Sequence, residues 1–201
     1  MNKLALAAPA AATVVAAIAL GDAATYALTG QYSVFAEGGP RWATTPGDLA
    51  HGLLYAVLIA VLITRRAQID AGSRARRWTR RILVALLAPL AVTFLVGLVL
   101  RPDAAPALSA VSGAAFLLSF PATATLGIML ARVPGMRLPA TLMITVLGGL
   151  ALTILLAVLG SRWAHPGYAE ALQFFGIALL ARLPWPASVP ATTGRLRVRA
   201  A

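Results

Sequence analysis

The amino-acid sequence predicts an all-α, polytopic membrane helix bundle with six transmembrane helices and with the N- and C-termini in the cytoplasm. First, 60% of the 201 residues are hydrophobic and 11% are charged, against about 45–50% and about 25% in soluble domains. Second, the apolar residues form six long runs. Third, the basic residues concentrate in every second connection between those runs, which is typical of a multi-pass membrane protein.

The six runs are predicted to be helices because they show no period-2 alternation and because lipid excludes open sheet edges. Each run approaches the roughly 20 apolar residues that a helix needs to cross about 30 Å of hydrocarbon. We expect one transmembrane domain over 1–183, with spans at about 4–28, 48–64, 82–100, 107–131, 139–159 and 168–183.

The two ends of the chain need separate interpretation. The first run follows Lys3 and is either a retained helix or a cleaved signal peptide; its length and the lack of a convincing A-x-A site at its end favour the retained helix. Pro184 and Pro186 end the last helix because prolines so close together do not continue it. We expect residues 184–201 to form a basic, flexible cytoplasmic tail.

The distribution of charge predicts the orientation. Connection 65–81 holds seven arginines against the single acid Asp70, and connection 132–138 and the tail are also basic. The connections at 21–48, 101–106 and 161–170 are acidic or balanced. Since excess Lys and Arg faces the cytoplasm, segment 65–81 is predicted to be cytoplasmic.

The net charge of +11 does not indicate nucleic acid, because the arginines lie between apolar runs. Arginine in place of lysine, together with abundant alanine, suggests a GC-rich bacterial genome and hence the bacterial cytoplasmic (inner) membrane. The polybasic segment either only determines topology or also attracts anionic lipid headgroups, at about 1 kcal/mol per basic residue. The expected headgroup contacts are Arg74, Arg76, Arg77, Arg80 and Arg81.

A set of polar residues near the outer face forms the candidate site, because ionisable groups within a membrane are costly and often functional. Asp22 lies within the first helix if that helix reaches Leu28, and otherwise in a loop. Asp48 shares a helix face with His51 and Tyr55, although Thr45–Asp48 also resembles a helix-capping box. The predicted catalytic residues are His51, Asp22 and Glu170, and the predicted ligand-binding residues are Tyr26, Asp48, Tyr55 and Gln173.

Three functions remain open. The first is binding or transport of a small hydrophobic or amphipathic ligand in an outer-facing cavity. The second is an enzyme acting on a lipid or isoprenoid-like substrate, with His51 as acid or base. The third is an accessory subunit, or an oligomer, whose small residues contact other helices: Gly97, Gly113, Gly127, Gly148, Gly149 and Gly176. The chain has no cysteine and no recognised catalytic, nucleotide or metal motif, so we expect neither a metal nor a cofactor.

Overall fold

The computed structural model describes residues 3–34, 39–99 and 106–183. These residues form seven α-helices and one 3-10 turn, with no strand among them. The helices are α1 (Lys3–Thr29), α2 (Arg41–Thr64), α3 (Arg66–Asp70), α4 (Arg74–Gly97), α5 (Pro106–Leu130), α6 (Arg137–Val158) and α7 (Gly167–Leu179), and the 3-10 turn is Leu180–Arg182.

Five of these helices are long and apolar enough to cross a membrane: α1, α2, α4, α5 and α6. Their lengths run from 22 to 27 residues, which matches the hydrocarbon thickness at 1.5 Å per residue. The predicted helical membrane bundle is therefore confirmed as a fold class. The predicted sixth span corresponds to α7, which has only 13 residues.

The bundle has two ends, which we define by their contacts. At the far end, Asp22 of α1 meets Ser33 and His165, and Gly167 of α7 lies against Ala19. The arginine end comprises Arg65 to Arg81, which follow α2, together with the contact between Arg65 and Ala181. The α7 helix and its 3-10 turn therefore extend from one end of the bundle to the other.

The six long elements pack as a ring in chain order. Helix α1 packs against α2, α2 against α4, α4 against α5, α5 against α6, and α6 against α7, which closes the ring by packing against α1. The core consists mainly of alanine and leucine, and Leu58, Leu87, Met143 and Phe174 are among its larger fully buried side chains. Helix α7 touches both α1 and α2, so the three helices that carry the predicted site residues are neighbours.

Two helices begin earlier than hydropathy indicates. Helix α2 begins at Arg41 and not near Asp48, with Pro40 as N-cap and no side-chain capping bond. The interpretation of Asp48 as a capping residue is therefore wrong, because it lies two turns inside the helix. Helix α4 begins at Arg74, eight residues before the predicted span, since Ser73 caps it by accepting a hydrogen bond from the Arg76 amide.

The remaining predicted bounds agree with the structure to within a few residues. Helix α1 continues to Thr29, so Asp22 lies within the helix and not in a loop. The predicted tail, 184–201, and most of the predicted 101–106 connection lie outside the described residues.

Glycines at three helix contacts have the packing role expected of small residues. A Cβ atom on Gly127 or Gly176 would lie under 3 Å from Met143, and one on Gly149 would lie 3.1 Å from the Ala169 backbone. Gly97, Gly113 and Gly148 instead have open space at the Cβ position. Close helix approach therefore explains half of the six glycines, and the other three have no neighbour there among the described residues.

Candidate functional site

The arginine end carries a groove built by a sharp turn between α3 and α4. Ala71 and Gly72 both have positive φ values, 21° and 78°, and glycine adopts such a conformation at little cost. Ser73 then starts α4 by accepting a hydrogen bond of 3.3 Å from the Arg76 amide. The turn brings Asp70 next to the second turn of α4.

Asp70 and Arg80 form a bidentate ion pair inside this groove. The Arg80 Nε donates to Oδ1 and its NH2 group donates to Oδ2, both over 2.9 Å. Arg80 is 7% exposed, and such two-point guanidinium–carboxylate pairs are among the strongest hydrogen-bonded contacts. Arg77 approaches the same carboxylate more loosely, with its Nε 3.9 Å from Oδ2. Asp70 therefore holds Arg80 in place and has both of its oxygens engaged.

The groove is an open cavity with a volume of about 390 Å³. Its charged lining consists of four arginines and one aspartate: Arg66, Arg77, Arg80, Arg81 and Asp70. Counting these side chains, +4 and −1 leave a net charge of +3. The chemistry of this lining suits an anion with several oxygen acceptors, because each guanidinium can bind such a group in two places.

The five arginines predicted to contact headgroups have different surroundings. Arg74, Arg77 and Arg81 are exposed. Arg81 lies over the Trp78 ring at 5.4 Å, and Arg76 donates to the Ala71 carbonyl over 2.9 Å. Arg80 is buried in its pair with Asp70, which gives it a positioning role that the sequence interpretation did not include.

At the far end, Asp22 joins three segments that are distant in sequence. Its Oδ1 accepts the Ser33 amide over 2.8 Å, and its Oδ2 lies 3.6 Å from His165 Nε2. His165 Nδ1 accepts the Gly167 amide over 3.1 Å, so the neutral ring carries its proton on Nε2, which faces Asp22. Asp22 thus pairs with His165 and not with His51.

His51 lies inside the bundle on α2. Its ring stacks on Phe94 with a centroid distance of 4.9 Å, and its Nδ1 lies 2.8 Å from the Gly47 carbonyl of the same helix. The acid that acts on it electrostatically is Asp48. Within residues 3–34, 39–99 and 106–183, no carboxylate makes a hydrogen bond to His51. Among the described residues, His51 is therefore not in hydrogen-bond contact with Asp22 or Glu170.

Tyr55 and Glu170 lie within electrostatic range of each other. Tyr55 is 2% exposed, with its ring edge against Phe174 at 5.8 Å, and the charge of Glu170 acts on its hydroxyl group. The half-buried Glu170 carboxylate has no hydrogen-bond or ion-pair partner among the described residues. Glu170 is therefore the predicted site residue whose side chain is most available to bind a ligand.

Gln173 and Tyr26 contact residues that were not among the predicted site residues. The Gln173 amide, 1% exposed, donates to Ser119 Oγ over 3.0 Å and to Thr123 Oγ1 over 2.9 Å, both on α5. Tyr26 stacks on Tyr32 with a centroid distance of 4.4 Å.

The residues of the predicted outer pocket thus belong to separate contacts. Asp22 joins Ser33 and His165 in contacts that we call the clasp. His51 and Tyr55 lie among aromatic rings, and Gln173 bonds to α5.

Sequence reasoning missed the arginine groove and the role of His165. The signal for the groove was present, because Asp70 is the only acid within a run of seven arginines in 65–81. The pairing of Asp22 with His165 joins residues 143 positions apart in the numbering, and no sequence pattern indicates it. No group of three or more His, Asp or Glu residues that would hold a metal ion occurs in the described part of the chain.

Comparison with known proteins adds no assignment to these sites. Neither a family model, nor a curated protein, nor a solved structure matches the chain.

Proposed function

We propose that this multi-pass membrane protein lies in the bacterial cytoplasmic membrane and binds the headgroup of an anionic lipid at its cytoplasmic face. The single observation that carries the proposal is the cavity of about 390 Å³ lined by Arg66, Arg77, Arg80 and Arg81. The ligand is of the amphipathic class expected from the sequence, but the proposed site is at the arginine end and not in an outer-facing cavity.

The groove adjoins the start of a membrane-crossing helix, which favours a lipid over a soluble anion. Helix α4 begins at Arg74 and continues as an apolar span to Gly97. Trp78, in its second turn, is 51% exposed, and exposed tryptophans concentrate at the membrane interface. A headgroup in the groove would therefore have its acyl chains beside the apolar part of α4.

Six crossings with a cytoplasmic arginine end form part of this proposal. Support comes from the clustering of basic segments: Thr79 of α4 contacts Met129 near the α5–α6 connection, and Arg65 contacts Ala181 near the end of α7. Helix α1 packs against the 3-10 turn after α7, so both described chain ends lie at the arginine end. Positive charge on one side favours that side as cytoplasmic.

Lipid retention by the purified protein tests the headgroup site. We expect native mass spectrometry of the intact protein in neutral detergent to show bound anionic phospholipid. The triple variant Arg66→Gln, Arg77→Gln and Arg81→Gln removes three cations of the groove. At roughly 1 kcal/mol per arginine, the affinity falls on the order of 100-fold.

A second triple variant provides the matched control. Arg74→Gln, Arg132→Gln and Arg137→Gln remove the same charge from exposed positions that do not line the cavity. This control is expected to retain its lipid, because a neutral micelle has no anionic surface for diffuse attraction. Equal loss in both triple variants would contradict a specific site.

An outer-facing ligand site is a second candidate, favoured by Glu170. A half-buried carboxylate near the aromatic rings of Tyr55 and Phe174 suits a hydrophobic cation. Binding of tetraphenylphosphonium to the intact protein is expected to weaken in Glu170→Gln. Asp22→Asn is the control, since Asp22 already has Ser33 and His165 as partners; equal weakening in both variants would contradict a site at Glu170.

The enzyme centred on His51 receives no comparable support. General acid–base chemistry needs a partner within about 2.6–3.2 Å or one water, and the described hydrogen bond of the His51 ring is to a backbone carbonyl. The accessory-subunit alternative is supported by the open glycines Gly97, Gly113 and Gly148 and by no other contact of the described residues.

A further inference from the structure

We infer that the arginine groove selects a phosphomonoester headgroup, such as that of phosphatidic acid, over a phosphodiester headgroup. This inference rests on the proposed lipid site and concerns the chemical class of its ligand. It follows from how the charges in the groove are distributed.

The charge of Asp70 is directed towards Arg80 and away from a ligand. Both oxygens of the Asp70 carboxylate accept hydrogen bonds of 2.9 Å from Arg80. The other three cations of the lining, Arg66, Arg77 and Arg81, are exposed, and Arg77 has only a loose 3.9 Å contact with Asp70. The cavity therefore presents three cationic side chains that an incoming anion can bind.

Three guanidinium groups match the oxygens of a phosphomonoester. A phosphomonoester has three terminal oxygens and a charge of about −1.5 to −2 at neutral pH. A phosphodiester has only two free oxygens and one negative charge, so some guanidinium N–H donors of the groove would have no phosphate oxygen to bind. The groove is thus better satisfied by the monoester.

The ionisation of the ligand makes the selection depend on pH. The second pKa of a phosphomonoester is about 6, and nearby cations favour the dianion. The arginines of the groove keep their charge throughout this range, and Asp70, the other charged group of the lining, is paired with Arg80. Preference for the monoester should therefore rise between pH 5.5 and pH 8, whereas diester binding should change little.

Competition between lipids tests the inference with the full chain. The protein is equilibrated in nanodiscs that contain phosphatidic acid, phosphatidylglycerol and excess phosphatidylcholine, and co-purified lipid is quantified at pH 5.5 and at pH 8. We expect the ratio of phosphatidic acid to phosphatidylglycerol to rise about fivefold, the effect of one added charge near a basic site. An unchanged ratio would overturn the monoester assignment.

Three outcomes with the two triple variants distinguish failure of this inference from failure of the lipid site. An unchanged ratio together with lipid loss in the Arg66/Arg77/Arg81 variant would overturn this inference and leave the lipid site intact. Equal lipid loss in that variant and in the Arg74/Arg132/Arg137 variant would overturn the lipid site itself. The pH effect should persist in the Arg74/Arg132/Arg137 variant, because none of these three positions lines the groove; its disappearance there would overturn the inference.

Inorganic phosphate presents the same oxygen acceptors to the arginines as a phosphomonoester headgroup does, so it is the alternative ligand. Inorganic phosphate in large excess is expected to leave the bound lipid in place, because it lacks acyl chains beside α4. Displacement of phosphatidic acid by inorganic phosphate alone would overturn the lipid assignment in favour of a soluble phosphate.

Discussion

Arg65 donates a hydrogen bond of 2.5 Å to the carbonyl oxygen of Ala181, 116 positions later in the chain. The Arg65 side chain is 3% exposed and follows the last residue of α2. Ala181 belongs to the 3-10 turn that ends the last helix. A cation at this position also complements the negative end of the helix dipole, so Arg65 joins the second helix to the end of the last one.

Replacing Arg65 should therefore destabilise the bundle. Arg65→Met leaves the buried Ala181 carbonyl without this donor, which costs about 1–3 kcal/mol. Thermal or denaturant unfolding in detergent measures the loss. Arg66→Met is the control, because Arg66 is the exposed neighbour; equal destabilisation by both variants would contradict the role of the contact with Ala181.

Helix α5 contains both a crowded glycine and an open glycine. A Cβ atom on Gly127 would lie 2.7 Å from Met143 Cβ and 2.9 Å from the Ala140 carbonyl oxygen, so Gly127→Ala should push α5 away from α6 and destabilise by about 1–3 kcal/mol. A Cβ atom on Gly113 would have no neighbour within 4 Å among the described residues, so Gly113→Ala should be neutral or slightly stabilising. Both are compared by unfolding in detergent, and a reversed order would contradict the described packing.

The contact between Gln173 and Thr123 should be measurable as a coupling. Gln173 Nε2 donates to Thr123 Oγ1 over 2.9 Å, and hydrogen bonds between membrane helices contribute about 0.6 kcal/mol on average and up to about 1.7. A double-mutant cycle with Gln173→Leu and Thr123→Val should give a coupling in this range. Additive effects of the two changes would mean that this hydrogen bond contributes nothing to stability.

The clasp at the far end should protect one backbone amide from exchange. Asp22→Ala removes the acceptor of the Ser33 amide, and a hydrogen bond to a charged group contributes about 1.5–3 kcal/mol. Hydrogen exchange at Ser33 should accelerate on the order of 10- to 100-fold. Thr25→Ala is the control, because Thr25 bonds only within α1; an unchanged exchange rate in Asp22→Ala would contradict the clasp.

The proposed orientation can be tested with single cysteines, since the natural chain has none. Gln31→Cys at the far end and Ala75→Cys at the arginine end both change exposed positions. A membrane-impermeant maleimide should label Gln31→Cys in intact spheroplasts, and should label Ala75→Cys only after permeabilisation. Labelling of Ala75→Cys in intact spheroplasts would reverse the orientation and place the arginine groove outside.

Hydropathy was sufficient to predict the helices but not all of their starts. Helix α2 begins seven residues before the predicted span. Arg41, Thr44 and Thr45 have the composition of a loop, so hydropathy excludes them although they form the first turns of the helix. Helix α4 begins early for a similar reason, since its first two turns carry arginines that remain outside the apolar run. Pro40 precedes the first residue of α2, and the Ser73 cap marks the start of α4, whereas the hydropathy window reports only the part of each helix that suits lipid.

The candidate site was harder to predict because it depends on contacts between distant segments. The helical spacing of His51 and Tyr55 correctly placed both on one face, where both rings stack on Phe94. The partners of Asp22 could not be predicted, because the loops after α1 and α6 bring Ser33 and His165 to it. Spacing along one helix is determined by backbone geometry, whereas these pairings are determined by the packing of the whole ring.

The short length of α7 has a consequence for how the protein is made. Its 13 residues at about 1.5 Å each and the three of the 3-10 turn at about 2.0 Å each span roughly 26 Å, less than the hydrocarbon thickness. It also carries Glu170 and Gln173, which partition poorly into lipid. Its stability therefore depends on the helices that it packs against, α1 and α6 above all, and we expect α7 to join the bundle only after these helices are in place.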